Sequence, residues 1–302
     1  MPDLPPSYSA LSLPGILLSH HPASSPTPTP VIILSLHRPA ARNGFTDELA
    51  ASLITAFDTL SRDDRVKAIV LTSSDEANRI FCAGMDFNAK GDRIGPTRRE
   101  HRDGGGTVTL AMHNCHKPII AAINGSAVGV GITMTLPSAI RVASQDAKIG
   151  FVFAQRGFNM EACSSFYLPR LVGTSRALHL VTTGAVYPAT SPLFSELFSD
   201  VVPADEVLPT ALGYAEGIAR NVSTVAARVM RDMIYRGPRS PEEAHLLESR
   251  VFFDLYNGAD SKEGVGSFLE KRAPKFEMSI ERDAPGAWPW WDALDVKSKA
   301  KL

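Results

Sequence analysis

Lys117-Pro-Ile-Ile-Ala-Ala-Ile-Asn-Gly-Ser-Ala-Val-Gly-Val-Gly-Ile-Thr-Met-Thr-Leu136 is the stretch whose reading decides the fold. Ile119 to Ile123 is an unbroken apolar run bounded by Pro118 and Asn124-Gly125, which predicts a buried strand. The apolar residues after Gly131 predict a buried helix. The unit is therefore strand, glycine turn, helix. Glycine at 125, 129 and 131 removes side chains where backbone passes close to another group, so the Val130 amide can point outward at a helix start and hold a partial negative charge. Close helix-to-strand packing is the other use of such glycines. The spacing matches neither the GxxxxGK[ST] phosphate loop nor the GxGxxG dinucleotide fingerprint.

Upstream, Val66-Lys-Ala-Ile-Val-Leu-Thr72 reads as a strand, and Arg79-Ile-Phe-Cys-Ala-Gly-Met-Asp-Phe87 follows a polar turn. Together, Phe81-Cys-Ala-Gly-Met-Asp86 and Asn124-Gly-Ser-Ala-Val-Gly-Val-Gly131 resemble the two backbone signatures of the crotonase superfamily, the enoyl-CoA hydratases and isomerases. The resemblance implies an α/β fold, a spiral of ββα repeats with a C-terminal helical oligomerisation segment. It also implies an oxyanion hole for an acyl-CoA thioester built from the amides of Met85 and Val130, with Ala83, Gly84, Asp86 and Gly129 lining the substrate. Two such donors stabilise an enolate, and losing one costs about 3 kcal/mol of barrier.

At 302 residues the chain can bury a substantial core. Its 31 basic and 32 acidic residues leave a formal charge of −1, which makes nucleic acid and anionic membrane surfaces poor partners. Cys82, Cys115 and Cys163 form no CxxC pair and suggest a reducing compartment. The apolar runs are too short for membrane insertion.

Ile16–Ser19 and Val31–Leu36 predict an opening hairpin around a Pro/Ser/Thr-rich tip. Thr46 is placed to cap a helix whose Leu49, Leu53, Phe57 and Leu60 share one face. Arg42 is either a solvated loop arginine or, as the resemblance implies, a contact for the coenzyme A phosphates. Asn88 to Gly106 is polar and aperiodic, a long loop positioned to shape an acyl pocket. His113, Cys115 and His116 have no matching ligand cluster, so no metal is expected.

Glu161 stands alone among apolar and small residues. Desolvation raises the proton affinity of such a carboxyl, which suits a base that takes and returns a proton. An acid at a helix N-terminus is the alternative. Gly157-Phe-Asn-Met-Glu-Ala-Cys-Ser-Ser-Phe-Tyr-Leu-Pro-Arg170 resembles the peroxisomal Δ3,Δ2-enoyl-CoA isomerases, which implies Glu161 as the catalytic base. Hydratases of the family use two glutamates, whose positions here hold Thr133 and Phe153, neither an acid or base at neutral pH. The expectation is an isomerase with no metal or redox cofactor, coenzyme A being part of the substrate. A hydratase and a non-catalytic acyl-CoA binder are the rivals.

The organisation expected is an extension over 1–14, a spiral core over 15–205, a helical trimerisation segment over 206–280 and a tail over 281–302. Ser240-Pro-Glu-Glu243 is a helix start, Ala244, Leu247, Val251 and Leu255 one apolar face, and Ser261 the opening of a final helix. The resemblance implies a homotrimer or hexamer in which Phe268 and Lys271 touch a neighbour's coenzyme; by packing alone Phe268 is a core residue. Ala300-Lys301-Leu302 is a variant of the Ser-Lys-Leu address, which predicts a peroxisomal import receptor as partner and the peroxisomal matrix as location.

Overall fold

The structure, a computed structural model, describes residues 4–89 and 97–296. The hairpin β1 (Ile16–His21) and β2 (Val31–Leu36) is antiparallel, with Ile16 opposite Leu36, and it opens a sheet of six strands. After it, α1 (Asp47–Arg62) starts at Thr46, whose side chain accepts from the Leu49 amide. From there the chain deals strands alternately to two sheets. β3 (Ala68–Ser73), β5 (Ile119–Ile123) and β7 (Ile140–Ser144) extend the first, while β4 (Ile80–Cys82), β6 (Ser126–Val128) and β8 (Lys148–Gly150) build a second. β9 (Val186–Pro188) closes the small sheet antiparallel to β8, and β10 (Asp200–Val202) closes the large one parallel to β7. This is the expected spiral of ββα repeats.

β3 and β5 are buried throughout because both faces of the large sheet are covered. Ile69 and Leu71 face the core shared with Leu49, Leu53, Phe57 and Leu60 of α1. Ala68, Val70, Ile120 and Ala122, on the opposite face, pack with Val207, Ala211 and Ala215 of α6 (Val207–Asn221). The period-two alternation thus distributes one strand between two cores. Tyr8 belongs to the first core too: it is fully buried, its hydroxyl donating to Asp63 Oδ2 at 2.8 Å and its amide to His20 Nε2 at 3.0 Å.

Several expectations need correction. The aperiodic stretch ending at Gly106 already contains the start of a helix, α2 (Gly104–Asn114); residues 90–96 lie outside the described residues. Three glycines are poor helix formers, but both ends of α2 are satisfied from outside. At one end Asp103 accepts from the Gly106 amide. At the other, Arg228 and Arg231 of α7 (Thr224–Arg236) donate to the carbonyls of His113 and Cys115 at 2.6–3.0 Å. The short strand β9 is created by pairing with β8 rather than by propensity. Helix α9 (Ala259–Leu269) begins two residues before Ser261, where Asp260 Oδ1 accepts from the amides of Glu277 and Met278.

Helix α8 (Pro241–Asn257) starts at Ser240, which accepts from the Glu243 amide at 3.2 Å. Its Val251 is buried, while Leu246, Phe252, Phe253 and Tyr256 are exposed, as is Phe268 on α9 at 80%. Core packing does not hold for Phe268. The tail is pinned by its tryptophans: Trp288 Nε1 donates to Asp232 Oδ2 at 2.8 Å, Trp290 Nε1 to the Arg236 carbonyl at 2.9 Å, and the Arg236 guanidinium lies 4.1 Å above the Trp291 ring. No helix among the described residues is long and apolar enough to cross a membrane.

Candidate active site

Parallel pairing of β4 with β6 sets Cys82 opposite Ala127. Met85 and Val130 each stand three residues further along, so the two turns that follow the strands run side by side. Gly84 (φ +89°) and Gly129 (φ +55°) occupy backbone conformations that side chains disfavour. A Cβ on Gly84 would sit 2.9 Å from the Val128 carbonyl oxygen, and one on Gly129 4.0 Å from Gly84 Cα. A methyl on Gly131 would overlap the Cys82 carbonyl oxygen.

The amides are oriented by what their neighbours bond. Phe45 donates to the Gly84 carbonyl at 2.8 Å and accepts from the Asp86 amide at 3.0 Å, in a parallel bridge with Met85. Alternation along an extended segment turns the Met85 amide to the opposite side. Val130 is the first residue of α3 (Val130–Thr133), whose opening amides have no partner within the helix. Neither amide donates to a protein acceptor among the described residues. Asp86 is anchored by Arg38 at 3.2 Å, which holds its carboxyl below the usual range even though partial desolvation opposes this. Buried Asn43 fixes the approach to this loop by donating to Ser73 Oγ at 2.9 Å and the Phe81 carbonyl at 3.1 Å.

Glu161 precedes α4 (Ser164–Val172). Its carboxyl reaches α3, where Thr133 Oγ1 donates to Oε1 at 2.8 Å, one helical turn from Val130. Burial pushes its proton affinity up to about 8, opposed by the Thr133 hydrogen bond and assisted by the Asp103 carboxyl beside it. Gly105, at the start of α2, lies against the other oxygen so closely that a methyl there would overlap Oε2. The next two residues, Ala162 (φ +56°) and Cys163 (φ +53°), are left-handed without being glycine. They are held from outside: Asp103 Oδ1 accepts from the Ala162 amide at 3.2 Å, and Thr109 Oγ1 donates to the Ala162 carbonyl at 3.1 Å.

The structure therefore brings together Met85, Val130, Gly84, Gly129 and Glu161. Ala83 is exposed beside them, its amide donating to the Arg42 carbonyl at 3.1 Å. The Arg42 side chain is exposed and lines, with Asp75 and Arg79, an open cleft of about 400 Å³. Phe268 and Lys271 are joined to Glu161 by no hydrogen bond, ion pair or ring contact among the described residues. Ala300, Lys301 and Leu302 lie outside the described residues. Sequence reasoning missed Asp103 as a site residue, although Asp-Gly-Gly-Gly carries a helix-cap signal. It treated Thr133 only as a missing glutamate.

The arrangement leaves two neighbouring main-chain donors available to an acceptor and a carboxyl of raised proton affinity one helical turn from the second. Residues 27–279 match the family model described as Enoyl-CoA hydratase/isomerase. The chain is 49% identical over 275 residues to Enoyl-CoA hydratase ACTT3 of Alternaria alternata, covering 90% of this chain and 92% of that one. It is 31% identical over 255 residues to the 1,2-epoxyphenylacetyl-CoA isomerase of Escherichia coli, covering 82% of this chain and 94% of that protein. Among solved structures, a probable enoyl-CoA hydratase/isomerase from Mycobacterium abscessus superposes with a TM-score of 0.76 at 31% identity, covering 83% of this chain and 96% of the other. The chain belongs to the enoyl-CoA hydratase/isomerase family.

Proposed function

We propose that the protein shifts the double bond of a 3-enoyl-CoA to the 2 position. Glu161 removes a proton from C2, the Met85 and Val130 amides hold the enolate oxygen, and the same carboxyl returns the proton to C4. The observation that carries this reading is the Thr133–Glu161 hydrogen bond, which sets a carboxyl of raised proton affinity one turn from the Val130 amide. A base with a proton affinity near the working pH can both accept and release. In this reading the coenzyme's phosphates lie near Arg42, and a neighbouring subunit's Phe268 and Lys271 close on the nucleotide. The exposed apolar residues of α8 and α9 support assembly into trimers or hexamers. The Ala300-Lys301-Leu302 ending supports import into peroxisomes.

Hydration of a 2-enoyl-CoA is the second reading. It is favoured by Asp103, a second carboxyl beside Glu161, and by the 48–50% identity to three Alternaria alternata proteins named enoyl-CoA hydratases. Steady-state rates on matched 3-enoyl- and 2-enoyl-CoA substrates decide between them. Isomerisation at least tenfold faster than water addition supports the first reading, and dominant hydration replaces it with the second. Coenzyme A affinity without turnover on either substrate, unaltered by Glu161→Gln, would leave a non-catalytic acyl-CoA binder.

A further inference from the structure

We propose that Asp103 is a positioning residue for the catalytic carboxyl: it pins the left-handed backbone that follows Glu161 and sets a second carboxyl beside it. The proposal rests on Glu161 being the base and applies to both isomerisation and hydration.

Asp103 Oδ1 has two amide donors, from different segments. Gly106 belongs to the first turn of α2, and Ala162, 3.2 Å away, is the residue after Glu161. One carboxylate oxygen therefore ties the start of a helix to the segment carrying the base. Ala162 and Cys163 both adopt positive φ, a conformation that costs about 1 kcal/mol or more per non-glycine residue and persists where surrounding contacts enforce it. Asp103 supplies one of those contacts on the amide side and Thr109 another on the carbonyl side.

The same arrangement crowds two acids. Gly105, two residues after Asp103, leaves no room for a methyl beside Glu161 Oε2, so the α2 N-terminus and the Glu161 carboxyl are in direct contact. The groups facing Glu161 are Thr133 from α3, Asp103 from the cap of α2 and, more remotely, Cys82 on β4 and Cys163 on its own segment. Of these, Asp103 is the carboxyl that opposes ionisation of Glu161, adding to the effect of burial. Thr133 counters this by donating to the ionised form.

The test separates charge from capping. Asp103→Asn keeps an oxygen for the Gly106 and Ala162 amides but removes the ionisable group; Asp103→Ser, also a good cap, serves if the first variant does not fold. The Glu161 carboxyl is followed by carbon-13 NMR across pH in the full-length protein, beside the kcat/KM profile on the preferred enoyl-CoA. The expected result is a Glu161 titration midpoint lower by about one pH unit in the variant, with the acid limb of kcat/KM moving down with it. An unchanged midpoint overturns the proposal, whether or not the rate falls, because Asp103 would then be a helix cap alone. The NMR reading does not depend on the role of Glu161, whereas turnover surviving in Glu161→Gln would remove the base assignment and leave the carboxyl pair intact.

Discussion

Thr133 Oγ1 lies 2.8 Å from Glu161 Oε1 and 3.3 Å from the Gly129 carbonyl oxygen, so its single proton has two acceptors and the shorter contact favours the carboxylate. This buried residue couples the Glu161 carboxyl to the helix that Val130 opens.

Thr133→Val keeps the shape and deletes the donor. The Thr133 hydrogen bond favours the ionised carboxylate, so its loss raises Glu161 above about 8 and moves the acid limb of kcat/KM to higher pH. At pH 7 the rate should fall about tenfold, the scale of one hydrogen bond to a charged group. A pH–rate profile superimposable on that of the wild type would contradict this.

Gly105→Ala tests the space beside the base. Alanine favours a helix over glycine by about 1 kcal/mol, but overpacking beside a buried carboxyl costs about 1–3 kcal/mol, so the thermal midpoint should hold or fall by a few degrees. The added methyl also displaces Glu161 Oε2, and a misplacement of about 1 Å costs on the order of 100-fold in turnover. Kinetics and a thermal melt on the same preparation check both halves. Full activity in a well-folded variant would show that the carboxyl has another place to sit.

Glu161 also has a stability signature. Its native proton affinity, about 8 against an ordinary 4.5, means the folded state holds a proton that the unfolded chain releases between those values. Its contribution is therefore fully present below pH 4.5 and is lost as pH rises through 8. Glu161→Gln escapes that loss, so it should match the wild type near pH 4.5 and exceed it by a few kcal/mol above pH 8. Urea unfolding at both pH values measures the gap; a constant difference would refute the raised affinity.

The sequence carried the elements whose local signals agree with their tertiary setting. The Thr46 cap, the apolar face of α1, the buried strands and the Ser240 helix start all stand where propensity and periodicity put them. Misreadings occur where a long-range partner decides. Three glycines at 104–106 read as loop because the arginines at the far end of their helix and the carboxyl they accommodate come from other parts of the chain. Strand β9 is invisible without β8, and Phe268 looks like core although 80% of it is exposed. Of the site, the two glycine turns and the isolated Glu161 were legible. Asp103 was not, since no spacing rule links it to a residue 58 positions later.

Arg228→Met should be the most damaging change outside the site. Arg228 and Asp232 pair at 2.8 Å with side chains 3% and 0% exposed, and Arg228 also donates to the carbonyls of His113 and Cys115. Removing the cation leaves Trp288 as the remaining hydrogen-bond donor to Asp232 among the described residues, with Arg231 and Arg236 nearby, and strips donors from the end of α2. A loss of about 3–5 kcal/mol is expected in equilibrium unfolding, and less than 1 kcal/mol would mean that Arg231 substitutes for it.

On the proposed reading the oxyanion grip is made of peptide NH groups, so exchanging the exposed Met85 side chain for any residue but proline leaves its donor in place. The acids around it enjoy no such protection: each is one codon away from an amide. On that reading the two loops identify what is held, while residues such as 103, 133 and 161 determine what happens to it.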